Sequence, residues 1–266
     1  MDRIRALIRS DLDRIEHNLS YIIDTNTSIQ TDIKKFINGP SKRIRSILCL
    51  LYIKANNTNA DKGIINLLTS GELIHNASLL HDDVIDESDI RRGKEAFHKK
   101  YSSKVSILSG DYLLSIAVKV LMELKNENIM RIFLDTTKKM STAELLHYTQ
   151  RNKDTSLDSY IDIINGKTAS LFEAILESAA TLLNIDKIKA AKFGNLFGLL
   201  FQINNDKKSD SVLNDKKNGI KTIIDIIGIE KTESLKDNYK QEMRGIIKSL
   251  PNKQYSDRLE DLINLL

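Results

Sequence analysis

The chain reads as an all-α bundle around a single core. Three observations carry this. Apolar residues recur at helical spacing almost throughout, as in Ile64, Leu67, Leu68, Leu73, Ile74 and Ala77, and again in Ile107, Leu108, Leu114, Ala117, Val118 and Leu121. Alternating strand-like runs with turn dipeptides are scarce. No linker divides the chain: its 266 residues include two prolines, Pro40 and Pro251, and eleven glycines, with no Pro/Ser-rich or low-complexity stretch. A single domain over residues 1–266 is therefore expected.

Helices are expected over residues 3–24, 43–56, 63–86, 105–126, 128–151, 157–183, 187–208, 217–228, 230–249 and 255–265. The second carries the apolar run Ile47 to Ile53, with Lys42, Arg43 and Arg45 at its start. The third runs from Ile64 through Leu80 into a cluster of acids, and the fourth is the Ile107 to Leu121 stripe. Phe193, Phe197 and Phe201 recur on one face of the seventh as core aromatics. The others rest on the same spacing.

Composition excludes several classes. Forty basic residues against 36 acidic leave a net charge of +4, mostly from lysine. No basic cluster is interleaved with aromatics or glycines, so no nucleic-acid partner is expected. The run Ile47 to Ile53 is too short to span a bilayer, and no transmembrane segment is expected. Met1-Asp2-Arg3-Ile4-Arg5 lacks the apolar core of a signal peptide. The single cysteine, Cys49, excludes an internal disulfide and suits a reducing cytoplasm.

The segment with the most chemistry is Leu80-His81-Asp82-Asp83-Val84-Ile85-Asp86-Glu87-Ser88-Asp89-Ile90-Arg91-Arg92-Gly93. Asp82 and Asp86 are four apart and share one helix face. Beside apolar residues two such carboxylates need a countercharge. A hard cation such as Mg²⁺, held by one or two carboxylates and substrate phosphates, is the natural one. Arg91 and Arg92 suit phosphate oxygens. Alone, such a stretch reads more readily as a solvated acidic helix end before a basic loop.

Asp82-Asp83-Val84-Ile85-Asp86 with Arg91-Arg92-Gly93 resembles the first aspartate-rich motif of the trans-type polyprenyl diphosphate synthases. Further segments match in order: Lys42-Arg43-Ile44-Arg45, His75 seven residues before Asp82, Gly110-Asp111-Tyr112-Leu113-Leu114, Lys167-Thr168-Ala169-Ser170-Leu171-Phe172, and Phe201-Gln202-Ile203. The resemblance spans roughly residues 39 to 222. It implies an isoprenoid synthase-type helical bundle around a deep central cavity, with Asp82 facing residues 201–210 across its mouth, and a homodimer.

The resemblance also implies the reaction, which joins an allylic diphosphate to isopentenyl diphosphate. The allylic C–O bond ionises, the alkene attacks the cation, and a proton is lost. Neutralising charge on the leaving diphosphate is the main catalytic task, and the cation needs a dry apolar pocket. In this reading Asp82 and Asp86 hold Mg²⁺. Arg91 and Lys167 bind the allylic diphosphate. Lys42, Arg45, His75 and Arg92 bind isopentenyl diphosphate. The Thr168 hydroxyl, the Lys167 carbonyl and the Gln202 amide direct oxygen dipoles at the cation. Asp83, turned about 100° from Asp82, is expected behind the metal ligands or toward solvent. Ala77 and Ser78, small where a bulky floor stops shorter chains, imply a product longer than fifteen carbons.

The second aspartate-rich motif departs from the pattern. Asn205 and Ser209 stand where aspartates are expected, and only Asp206 stays in register. Asp206 and Asp210 keep a four-residue spacing, shifted by one position. A regular helix turns them away from the metal, and a one-residue bulge near Asn204-Asn205 returns them. In the following segment Ile220 takes the lysine position and Lys221 follows one place late. These departures favour a second reading, a non-catalytic or regulatory homologue of a heteromeric synthase.

Overall fold

The computed structural model describes residues 1–206 and 221–266. Among them the chain is helical apart from one two-stranded hairpin. It divides into two compact units, residues 1–50 with 60–130, and residues 51–59 with 131–266.

The first unit opens with α1 (Asp2–Leu7) and α2 (Arg9–Ile22), where the sequence implies one helix. Ile8 breaks it, leaving helical backbone at φ −119°. The apolar stripe is unaffected, for Ile4, Ile8, Leu12, Ile15 and Leu19 are all buried. A helix absent from the sequence expectation follows, α3 (Ser28–Ile37). Its start is a capping box: Gln30 N–H donates to Thr27 Oγ1, and the Thr27 N–H donates to Gln30 Oε1, each at 3.1 Å. The first residues of α4 (Ile44–Ala55) precede α5 (Lys62–Ile85), which is buried on most of its faces. Its buried hydroxyls close on its own backbone, Thr69 to the Ile65 carbonyl at 2.8 Å and Ser70 to that of Asn66 at 3.0 Å.

Strands β1 (Ile90–Arg91) and β2 (Lys94–Glu95), absent from the expectation, pair antiparallel after α5. A short α6 (Phe97–Lys100) leads to α7 (Ser103–Met122), which packs along α5. Gly110 makes this approach feasible: a Cβ there would meet His81 Nε2 at 2.2 Å. Helix α7, 20 residues long, has a mean hydropathy of 1.6 over an 18-residue window, long and apolar enough to cross a membrane by length and composition. The apolar-run criterion passed it by, because serines and Asp111 interrupt its runs.

The second unit holds most of α8 (Glu127–Gln150), α9 (Leu157–Ile164), α10 (Ser170–Leu183) and α11 (Lys187–Asn205). The expected single helix over 157–183 contains an insertion: Asn165–Ala169 is a π turn, with the Ser170 N–H bonded to the Asn165 carbonyl five residues back. Asn184, in the left-handed region at φ 53°, ends α10, and Asp186 caps α11 through the Lys189 N–H at 3.0 Å. Phe172, Phe197 and Phe201 pack ring to ring within this hairpin. Gly198 lets α11 close on the π turn, where a Cβ would meet Ala169 Cα at 2.4 Å. The unit ends with α12 (Ile223–Ile227), α13 (Ile229–Ile247) and α14 (Lys253–Asn264). The early part of the expected 217–228 helix lies outside the described residues.

Candidate active site

Helix α5 delivers the first acidic cluster. The Asp86 N–H donates to the Asp82 carbonyl at 2.8 Å, so the last turn closes through both residues and both side chains, partly exposed, lie on one face. The helix then stops in a Schellman arrangement. Ser88 N–H bonds the Asp83 carbonyl at 3.0 Å and Glu87 N–H that of Val84 at 3.3 Å, with Glu87 left-handed at φ 50°.

Asp83 does not face solvent. Its side chain is wholly buried and accepts from Arg91 Nε at 2.6 Å and from Arg91 Nη2. Turned away from the Asp82–Asp86 face, it meets the hairpin instead. Arg92 and Gly93 form the hairpin turn, with φ 53° and 74°, the signs a tight primed turn requires. Arg91 is thereby fixed on β1 and Arg92 at the turn itself.

Arg92 donates to the Phe36 carbonyl at 3.3 Å and to Asn76 Oδ1 at 3.4 Å, with its guanidinium 5.5 Å from the Phe36 ring centre. Arg43 is structural: it pairs with buried Glu72 at 3.2 Å and donates to the Ile37 carbonyl at 2.7 Å, while Ser46 donates to the other Glu72 oxygen at 2.8 Å. Arg45 is buried beside this pair. Burial pulls its pKa down to about 10 against the opposing pull of Glu72, so it stays charged at neutral pH. Burial, followed by the charges of Arg45, Arg92, Arg43 and Arg91, pushes the pKa of His75 well below its ordinary value. The unit therefore collects a neutral imidazole and four guanidiniums. Lys42 is exposed beside them in sequence, its carbonyl accepting from Arg5 at 3.1 Å.

In the second unit, the π turn presents Lys167 and Thr168. The Lys167 ammonium lies 3.0 Å from His147 Nδ1 and pairs with Glu144. Burial opposes ionisation of Glu144, but the hydrogen bond of His147 and the charge of Lys167 outweigh it and hold the pKa down at about 2. Thr168 Oγ1 donates to Gln202 Oε1 at 2.9 Å. Gln202 Nε2 donates to Asp206 Oδ1 at 2.7 Å, and Tyr160 Oη donates to Asp206 Oδ2. Helix α11 stays regular to Asn205, with the Asp206 N–H on the Gln202 carbonyl at 3.0 Å. The bulge considered for Asn204-Asn205 is absent, and Asp206 is buried within its own unit. Lys221 pairs with Asp154 at 2.5 Å. Lys207, Lys208, Ser209, Asp210 and Ile220 lie outside the described residues.

The family model for polyprenyl synthetase matches residues 26–252. The chain belongs to this family. Among its relatives, the all-trans-nonaprenyl-diphosphate synthase (geranyl-diphosphate specific) of Rhodobacter capsulatus is 31% identical over 207 residues, covering 76% of this chain. The octaprenyl diphosphate synthase of Haemophilus influenzae is 30% identical over 211 residues, covering 77% of this chain. In each case the match spans 64% of the relative's own length. The crystal structure of a polyprenyl synthase from Caulobacter crescentus, complexed with calcium and isoprenyl diphosphate, has a TM-score of 0.89 at 22% identity over 99% of this chain and 96% of that one. The fold is thus the all-α isoprenoid synthase fold.

A divalent cation prefers hard oxygen donors, and Asp82 and Asp86 are two carboxylates on one helix face that could offer them. Among the described residues no three His, Cys, Asp or Glu side chains form a ready-made cage. Nothing local in the sequence links Glu144 and His147 to Lys167, twenty-three and twenty residues on; only the packing of α8 on the π turn does. For Asp83 the sequence left two places open, behind the metal ligands or toward solvent, and its burial against Arg91 takes the first.

Proposed function

We propose that the chain condenses isopentenyl diphosphate with an allylic diphosphate to give a polyprenyl diphosphate longer than fifteen carbons. One observation carries the reading: Asp83 holds Arg91 on the hairpin that also positions Arg92, in the same unit as Arg45, neutral His75 and the Asp82–Asp86 pair. Arg91 takes the allylic diphosphate, with Lys167 held ready by Glu144 and His147. Lys42, Arg45, His75 and Arg92 take isopentenyl diphosphate. A neutral imidazole serves as a donor that adds no further charge among four arginines. Mg²⁺, held by Asp82 and Asp86, supplies charge neutralisation on the leaving diphosphate. Thr168 and Gln202 present oxygen dipoles, and the departing diphosphate accepts the proton. The names of the relatives, nonaprenyl and octaprenyl synthases, support a long product.

A homodimer in the cytoplasm completes the reading. Ile107, Leu108, Val118 and Met122 are exposed along α7 and would be covered by a second copy. The buried Cys49 thiol suits a reducing compartment.

The test is incubation with isopentenyl diphosphate, farnesyl diphosphate and Mg²⁺, with product length read by mass. Asp82→Ala and Asp86→Ala should abolish turnover while the helical circular dichroism persists. Small effects from both would return these acids to a solvated helix end. A second reading, a non-catalytic homologue, draws on Asn205 and on the inward turn of Asp206. Wild-type protein inactive with every starter and Mg²⁺ level would favour it.

A further inference from the structure

Asp206 occupies the place where the polyprenyl synthetase pattern supplies an acid to the second motif, yet here both its oxygens are engaged internally. Oδ1 accepts from Gln202 and Oδ2 from Tyr160, and the residue is 6% exposed. The chain of bonds runs on from Gln202 Oε1 to the Thr168 hydroxyl. An amide has a donating end and an accepting end, so the partner of one end decides what the other must do. Asp206 Oδ1 is an acceptor, hence Gln202 turns Nε2 to it. Oε1 then faces Thr168, and the Thr168 hydroxyl must donate. Its proton is spent inward, and its oxygen accepts no bond among the described residues.

We infer that Asp206 is a positioning residue that sets the direction of the Asp206–Gln202–Thr168 hydrogen-bond chain, so that Thr168 turns oxygen lone pairs rather than a proton toward the allylic cation. This rests on the prenyl-transfer reading above. Direction matters because a hydroxyl dipole stabilises a cation only through its oxygen; reversed, the same group opposes the charge. The π turn contributes by bringing the Thr168 side chain to the α11 face that carries Gln202. Asp206 is then not a metal ligand, and its survival beside Asn205 has its own cause.

Asp206→Asn keeps the shape and offers two arrangements. With Oδ1 toward Tyr160, Nδ2 faces Gln202, the amide of Gln202 inverts, and Thr168 becomes an acceptor of Nε2. Expected for this variant is a kcat about tenfold or more below wild type, with KM and the Mg²⁺ level for half-maximal turnover unchanged within about twofold. In a Thr168→Val background the same substitution should add little, since its effect passes through Thr168. Thr168→Ser, which retains the hydroxyl, should retain the sensitivity to Asp206→Asn that Thr168→Val loses. A raised Mg²⁺ requirement, or losses that add in the double variant, would overturn the inference while leaving prenyl transfer intact. An atomic-resolution structure of Asp206→Asn tests it independently of turnover. Gln202 Nε2 toward Thr168 supports the inference, and Oε1 still toward Thr168 refutes it, even if the wild-type protein proves inactive and the prenyl-transfer reading falls.

Discussion

Asp83→Asn removes one charge from a pair whose acid is 0% exposed and whose base is 29% exposed. Breaking a fully buried pair by deleting one partner costs about 3–5 kcal/mol, since it strands a charge. Arg91 keeps some contact with water, and asparagine keeps an acceptor for one of its donors, so about 2 kcal/mol is the reasoned loss. That corresponds to a fall in Tm of about 8 °C for a cooperative unit of this size. The chain has no tryptophan, so thermal melting is best followed by far-ultraviolet circular dichroism. Asp83→Asn with Arg91→Met should recover most of the loss, because an apolar side chain needs no counterion. A single variant melting within about 1 °C of wild type, or a double variant no better than the single, would refute the argument. Asp83→Ala also hurts turnover less than Asp82→Ala or Asp86→Ala, in this account, since Asp83 acts on the arginine behind the metal face.

Ser78→Phe, or Ala77→Phe, should shorten the product distribution read by mass; Ala77 is fully buried and Ser78 partly exposed, so the serine variant should pay the smaller part of an overpacking cost of about 1–3 kcal/mol. Asn205→Asp should lower the Mg²⁺ concentration needed for half-maximal turnover, because α11 is regular to that residue and a carboxylate binds a hard cation better than an amide oxygen. An unchanged Mg²⁺ titration would count against it. His75 has a folded pKa below its unfolded one, so the unfolded chain takes up the proton first as the pH falls. Its contribution to stability is complete above an unfolded pKa of about 6.5 and declines below it; His75→Gln should flatten denaturant-measured stability between about pH 7.5 and 5.5.

The helical architecture was legible because hydrophobic spacing is a local property. Ile64 to Leu80 repeats along its own segment whatever surrounds it, and α5 forms where the pattern places it. Ile4 to Leu19 also kept one stripe, which is why the break at Ile8 left no trace in it. The start of α3 was written in Thr27-Ser28-Ile29-Gln30, a capping-box spacing that went unread. The family, too, was readable from ordered motifs, since Asp82, Asp86 and Arg91-Arg92 carry the charges diphosphate chemistry needs.

What the sequence did not determine is which partner each charge meets. Asp82, Asp83 and Asp86 are chemically alike along the chain, and only the hairpin folding back puts Arg91 against Asp83. The π turn at Asn165–Ala169 has one apolar residue, Ala169, so no hydrophobic spacing marks it. What marks it is a shift of hydrogen-bond register, which close packing against Gly198 accommodates. Asp206 looked like a displaced metal ligand; burial beside Tyr160 and Gln202 gave it other work. Periodicity follows from neighbours in sequence, whereas the pairing of polar groups follows from desolvation, and which groups lose water together is decided only when the helices pack.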